Sequence, residues 1–114
     1  MRVLEICIWP HMFDRQGVLH FAAYFTLSEL ALRDYIAEDG EDLEDFVVRN
    51  AACRYVESIK SPRVYCRVTL KEQRCNSRLY AIDVYLSLSH ATVGSPRLAS
   101  VELSTTSKRA DVAA

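Results

Sequence analysis

Polar and apolar positions change their period partway along the chain. From Phe46 onward they alternate by two. In "RVYCRVTLK", residues 63–71, Val64, Cys66, Val68 and Leu70 share one side while Arg63, Tyr65, Arg67, Thr69 and Lys71 share the other. That is the mark of a strand with one buried face. "RLYAIDVYLSL" repeats it with Tyr80, Ile82, Val84, Leu86 and Leu88 aligned, and "RCNS" at 74–77 is the turn between the two. "FVVRNAACRYVES" alternates imperfectly ahead of them. A last strand, "LASVELS", follows once Gly94 and Pro96 have broken the chain within "HATVGSPR". The polar "TTSKRADVAA", residues 105–114, is expected to fray, leaving one domain over residues 1–104.

Before Phe46 the pattern is different. "RVLEICIW", residues 2–9, is β-branched and apolar and is closed by Pro10, which predicts a first strand. The run from His20 to Glu38 carries Phe21, Ala22, Ala23, Tyr24, Phe25, Leu27, Leu30, Ala31, Leu32, Tyr35 and Ile36, apolar residues on nearly every side of a helix. Such a helix must be enclosed. "EDGEDLED", residues 38–45, predicts a solvated exit with Gly40 as a left-handed cap. The order is therefore strand, buried helix, then four strands joined by turns. An antiparallel sheet of about five strands, apolar on one face, solves this by curling around the single helix, an α+β architecture. The hot-dog fold and the cystatin-like fold both have this order, and the pattern alone does not separate them.

Composition narrows the functional classes. With 114 residues, half of them apolar, the chain has material for one core. Fourteen basic residues against fifteen acidic ones give a net charge of −1, so no overall attraction to nucleic acid or an anionic membrane is expected. No apolar run is long enough to span a membrane, and "MRVLEICIWPHMFD" has charges and a proline where a signal peptide needs an unbroken apolar stretch, so the expected compartment is the cytoplasm. Cys7, Cys53, Cys66 and Cys75 stand singly, and His11, His20 and His90 are scattered. Buried free thiols are expected, with neither a metal site nor a cofactor.

One stretch carries chemistry. In "FDRQGVLHFAAYFTLSELA", Asp14 precedes Gly17 by three positions, Tyr24 follows the glycine by seven, and Glu29 and Ala31 lie further along the helix. An Asp-x-x-Gly before a helix could be an ordinary turn and cap. With the later residues and the order of elements it resembles the segment joining first strand and central helix in hot-dog thioesterases of the 4-hydroxybenzoyl-CoA thioesterase family. Two positions depart from that family: Met12 stands where many members have a second acid, and "SPRVYCR" lacks the acid often found at the start of the third strand.

The resemblance implies an acyl-thioester hydrolase acting on acyl-CoA or an acyl carrier protein, with its active site at the interface of a homodimer or homotetramer. It implies Asp14 as nucleophile or general base and the backbone N–H of Phe21 as donor to the developing oxyanion, with Gly17 letting the chain approach the substrate. Apolar neighbours Met12, Phe13 and Phe21 are expected to raise the pKa of Asp14. Glu29 is expected as a buried acid, facing the site across a subunit interface or bonded to a strand. Tyr24 is expected in the pocket wall, and His20 either at the substrate or as a helix-start histidine. The basic residues Arg49, Arg54, Lys60, Arg63, Arg67, Lys71 and Arg74 suit carrier phosphates, an acidic carrier protein or plain solvent, and Arg63 is the substrate-binding candidate among them. A hot-dog dehydratase or lyase and a non-catalytic acyl-binding subunit are the alternatives.

Overall fold

The computed structural model describes residues 2–108. Five strands form one sheet: β1 (Val3–Cys7), β2 (Phe46–Tyr55), β3 (Arg63–Gln73), β4 (Ser77–Tyr85) and β5 (Ala99–Ser107). Their order across the sheet is β1-β3-β4-β5-β2, and every neighbouring pair is antiparallel. Helix α1 (Ala23–Ala37) touches all five strands, so the sheet wraps one helix as expected.

Alternation builds the core. Val64 and Cys66 of β3, Tyr80, Ile82 and Val84 of β4, and Ala99, Val101, Leu103 and Thr105 of β5 are buried against α1. The helix answers with Ala23, Tyr24, Leu27, Ser28, Ala31, Leu32 and Ile36, positions three or four apart that share one side. Ser28 escapes the cost of burial by donating to the Tyr24 carbonyl at 2.8 Å. The opposite side of α1, with Thr26, Glu29, Leu30 and Arg33, is exposed in the single chain, so the helix is half enclosed rather than surrounded.

The helix ends as its sequence prescribes. Gly40 adopts φ 76°, its N–H donates to Ala37 O at 3.0 Å, and the Glu41 N–H donates to Ile36 O at 3.2 Å, the paired bonds of a Schellman cap. The acidic exit is then tied to the sheet. Arg78 on β4 reaches both Glu41 carboxylate oxygens at 2.7 and 3.0 Å, also donates to the Tyr80 hydroxyl at 3.1 Å, and lies over the Phe46 ring.

Three expectations change. The alternation through Leu86 and Leu88 does not prolong β4: the strand stops at Tyr85, and Leu88–Val93 form a short helix, α2, begun by Ser87 accepting the His90 N–H at 3.2 Å. Leu86 and Leu88 are consequently exposed, while Ala91 is buried and its carbonyl accepts from Arg67. β5 continues to Ser107 with Thr105 inside the core, taking in three residues of the expected tail, of which residues 109–114 lie outside the described ones. The four cysteines are free thiols, but Cys66 alone is fully buried; Cys7 and Cys75 are exposed and Cys53 is half-buried. No helix of the described residues is long and apolar enough to cross a membrane.

Candidate active site

The segment between β1 and α1 is a tight hairpin. Phe13 pairs with Leu19, the Asp14 N–H donates to Val18 O at 2.8 Å, the Gly17 N–H to Asp14 O at 3.0 Å, and the His20 N–H to Met12 O at 2.8 Å. Gly17 adopts φ 75°, the left-handed conformation that turns a short hairpin loop back into register. An added Cβ at Gly17 would meet nothing within 4 Å. The glycine therefore serves the backbone conformation of the loop, and the space beside its α-carbon is open.

Asp14 lies on the open side of this hairpin. One carboxylate oxygen, Oδ1, accepts the Gln16 N–H at 2.8 Å and the Val18 N–H at 3.0 Å. Bonds of this kind favour the charged form. The Val18 bond above all, with the Gln16 bond and the nearby His20, holds the carboxyl below its ordinary value against a smaller opposing effect of desolvation. The expected rise in basicity is thus reversed in the single chain, because the hairpin points the carboxylate outward from Met12 and Phe13.

A cavity of about 290 Å³ opens beside the hairpin, where α1 begins. Val18, Leu19, Phe21 and Tyr24 line it from this side, and Tyr55, Val56, Glu57 and Ser58 from the end of β2 and the loop beyond. A main-chain bond joins the two sides, the Leu19 N–H donating to Ile59 O at 2.8 Å, while the Val56 and Glu57 N–H groups both reach Leu98 O at 3.0 Å and so tie the far side to the start of β5. The Tyr55 ring packs 4.8 Å from Tyr24 edge-to-face and 5.4 Å from Phe21. Desolvation and the neighbouring Cys53 and Tyr24 push the Tyr55 hydroxyl up to about 12, and burial likewise raises that of Tyr24, so both phenols stay protonated at neutral pH.

The start of α1 leaves donors available. The Ala23, Tyr24 and Phe25 N–H groups donate to His20, Phe21 and Ala22 carbonyls, whereas those of Phe21 and Ala22 have no acceptor among the described residues. Free N–H groups at a helix start can bind a developing negative charge.

The structure thus brings Asp14, Gly17, His20, Phe21 and Tyr24 into one region, with Phe21 and Tyr24 in the cavity wall. Arg63 is elsewhere: it begins β3 and pairs with Glu5 on β1 at 2.8 Å. Glu29 is not a buried acid, since it sits on the exposed side of α1. Sequence reasoning missed Tyr55 and Val56. Their only signal is an aromatic and a β-branched residue at the end of an imperfectly alternating strand.

Over residues 16–87 the chain matches the thioesterase superfamily. It belongs to that family, and its class is thioester hydrolase. The match begins two residues after Asp14, so it covers the loop glycine and α1 but not the acid itself. No curated protein matches the sequence. Among solved structures, a DHNA-CoA thioesterase from Staphylococcus aureus superposes with a TM-score of 0.77 at 19% identity, over 91% of this chain and 71% of that one. A 1,4-dihydroxy-2-naphthoyl-CoA thioesterase from Synechocystis gives 0.77 at 13%, over 91% and 79%. A hypothetical protein from Thermus thermophilus gives 0.78 at 20%, over 91% and 81%. These likenesses establish the hot-dog fold.

Proposed function

We propose that the chain hydrolyses acyl-CoA thioesters, or their acyl-carrier-protein counterparts, at the cavity beside the start of α1. The observation that carries this reading is the meeting of an apolar cavity with unclaimed N–H groups at Phe21 and Ala22 and with the hairpin bearing Asp14. The acyl group enters between Phe21, Tyr24 and Tyr55. The thioester oxygen faces the helix start, where the Phe21 N–H stabilises the charge that develops as the carbonyl carbon is attacked.

Asp14 acts as nucleophile, or as the base that takes a proton from attacking water. Its Oδ1 is engaged by the loop, which fixes the carboxylate and leaves Oδ2 for the reaction. The low basicity in the single chain is a consequence of exposure and of the two loop bonds. Bound acyl-CoA and a second subunit would remove water from this surface and push the carboxyl upward.

The second subunit is part of the proposal. β2 is an edge strand of ten residues, and its middle, Arg49–Cys53, is mostly small and exposed. Pairing two such edges joins two sheets into one and brings a partner against the exposed flank that includes Tyr55 and Val56. Glu29, on the outer side of α1, is then available to face a partner rather than its own core. The cytoplasm is the proposed compartment.

Release of free thiol from a panel of acyl-CoA and acyl-carrier substrates tests the activity directly. Thiol release from the wild-type protein supports the reading, and its absence across the panel refutes it.

A further inference from the structure

The cavity has an unequal wall. Leu19 and Tyr24 are buried at 4% and 3% exposure, whereas Phe21, Tyr55 and Val56 are open at 65%, 44% and 62%. Phe21 and Tyr55 nevertheless touch across the gap. The Tyr55 ring meets Phe21 at 5.4 Å on one side and stands perpendicular to Tyr24 at 4.8 Å on the other, while Phe21 is braced from behind by Phe25 at 5.9 Å. Tyr55 thus bridges the edge strand and the start of α1. Its place on the sheet makes room for this: the residue opposite it on β5 is Ala99, whose small side chain leaves the space above β5 to the ring.

We propose, resting on the thioesterase reading above, that Tyr55 sets the upper size limit of the acyl group by closing the end of the cavity that leads along β2 toward Cys53. Two observations agree. The first is where the cavity ends: Tyr55 lines it, and Cys53, beyond the ring on β2, does not. The second is the position of Cys53, two residues back on the same side of β2 and half-buried. Removing the Tyr55 ring would extend the cavity over this thiol, which together with Val101 opposite it forms a further apolar stretch. The ring does the limiting, and the hydroxyl is dispensable for it. Edge-to-face packing against Tyr24 holds the ring in place, and such aromatic pairs are sensitive to geometry.

The test is a chain-length profile. For wild type, Tyr55→Ala and Tyr55→Phe, kcat/KM is measured with straight-chain substrates from butanoyl-CoA to hexadecanoyl-CoA, and in parallel the affinity for non-hydrolysable S-alkyl-CoA thioethers of the same lengths is measured by calorimetry. Wild type should favour the short members. Tyr55→Ala should raise the ratio of long-chain to short-chain kcat/KM, and of the corresponding affinities, by about tenfold or more, the scale on which a pocket discriminates by size. Tyr55→Phe should keep the wild-type length profile whatever its absolute rate. A Tyr55→Ala profile identical to wild type overturns the size limit while leaving hydrolysis standing. Wild type that cleaves none of the substrates but binds the thioethers with the expected length cut-off, relieved in Tyr55→Ala, overturns hydrolysis and supports the limit. Thioethers that bind to none of the three proteins overturn both.

Discussion

Asp14 and Val18 hold each other twice: the Asp14 N–H donates to the Val18 carbonyl at 2.8 Å, and the Val18 N–H donates back to the Asp14 carboxylate at 3.0 Å. The carboxylate therefore has a structural bond in addition to the chemistry proposed for it. The two roles can be separated, because an amide oxygen can accept the same N–H bonds but cannot take a proton from water.

Asp14→Asn should leave the hairpin and the fold intact and lower kcat on the order of a hundredfold or more. Asp14→Ala should show the same loss of rate together with a loosened loop, seen as faster exchange of the Gln16 and Val18 amides. Turnover retained in Asp14→Asn would leave the acid only its role in the turn.

The pH dependence follows from the direction of the Asp14 shift. A carboxyl held below its ordinary 3.8 contributes stability above that value and loses it as pH falls through the depressed folded one. For the rate, kcat/KM reports the groups of the free enzyme, so its acid limb should lie below 3.8 if free Asp14 in solution is as exposed as in the single chain. An acid limb well above that value would show that subunit assembly already buries the carboxyl.

Gly17 offers a test of the loop alone. At φ 75° a side chain is strained although there is open space for its Cβ, so Gly17→Ala should cost about 1–2 kcal/mol in chemical denaturation. An unchanged midpoint would mean that the loop adopts another conformation in solution.

The helix can be tested on its enclosed side. Ala31 is 1% exposed on the side of α1 that faces the sheet, and an unpaired charge there should cost several kcal/mol. Ala31→Asp should fail to fold, as read by circular dichroism and solubility. A soluble, folded variant would contradict the packing of α1.

Much of this architecture was legible in the sequence because one-sided burial leaves a period. The alternation of Val64 and Cys66 and of Tyr80, Ile82 and Val84 marked two strands and their inner face at once. Gly40 marked the helix end. Where the reading failed, a local signal was outweighed by a longer pattern or depended on distant partners. Leu86 and Leu88 continue the period of β4, which hid a helix start at Ser87. Thr105 looks like a polar tail until its neighbours on β2 and β4 are known. The apolar neighbours of Asp14 suggested a dry carboxylate, but alternation around a hairpin sends adjacent side chains to opposite sides. Tyr55 acquires meaning only from Phe21 and Tyr24, more than thirty residues away.

The two borders of the sheet are unlike, and this bears on how the proposed pairing of subunits would end. β1 is five residues long, and a side-chain pair between its Glu5 and Arg63 of β3 places charge along that border. β2 is twice as long, and most of its middle is small and uncharged. A unit with one adhesive border and one blunt border has a valency of one for sheet extension. On the proposed pairing, joining through β2 about a two-fold axis would consume that valency in both partners, so sheet extension would stop at the pair, and a continuous ribbon of sheets would have no second open border on which to propagate.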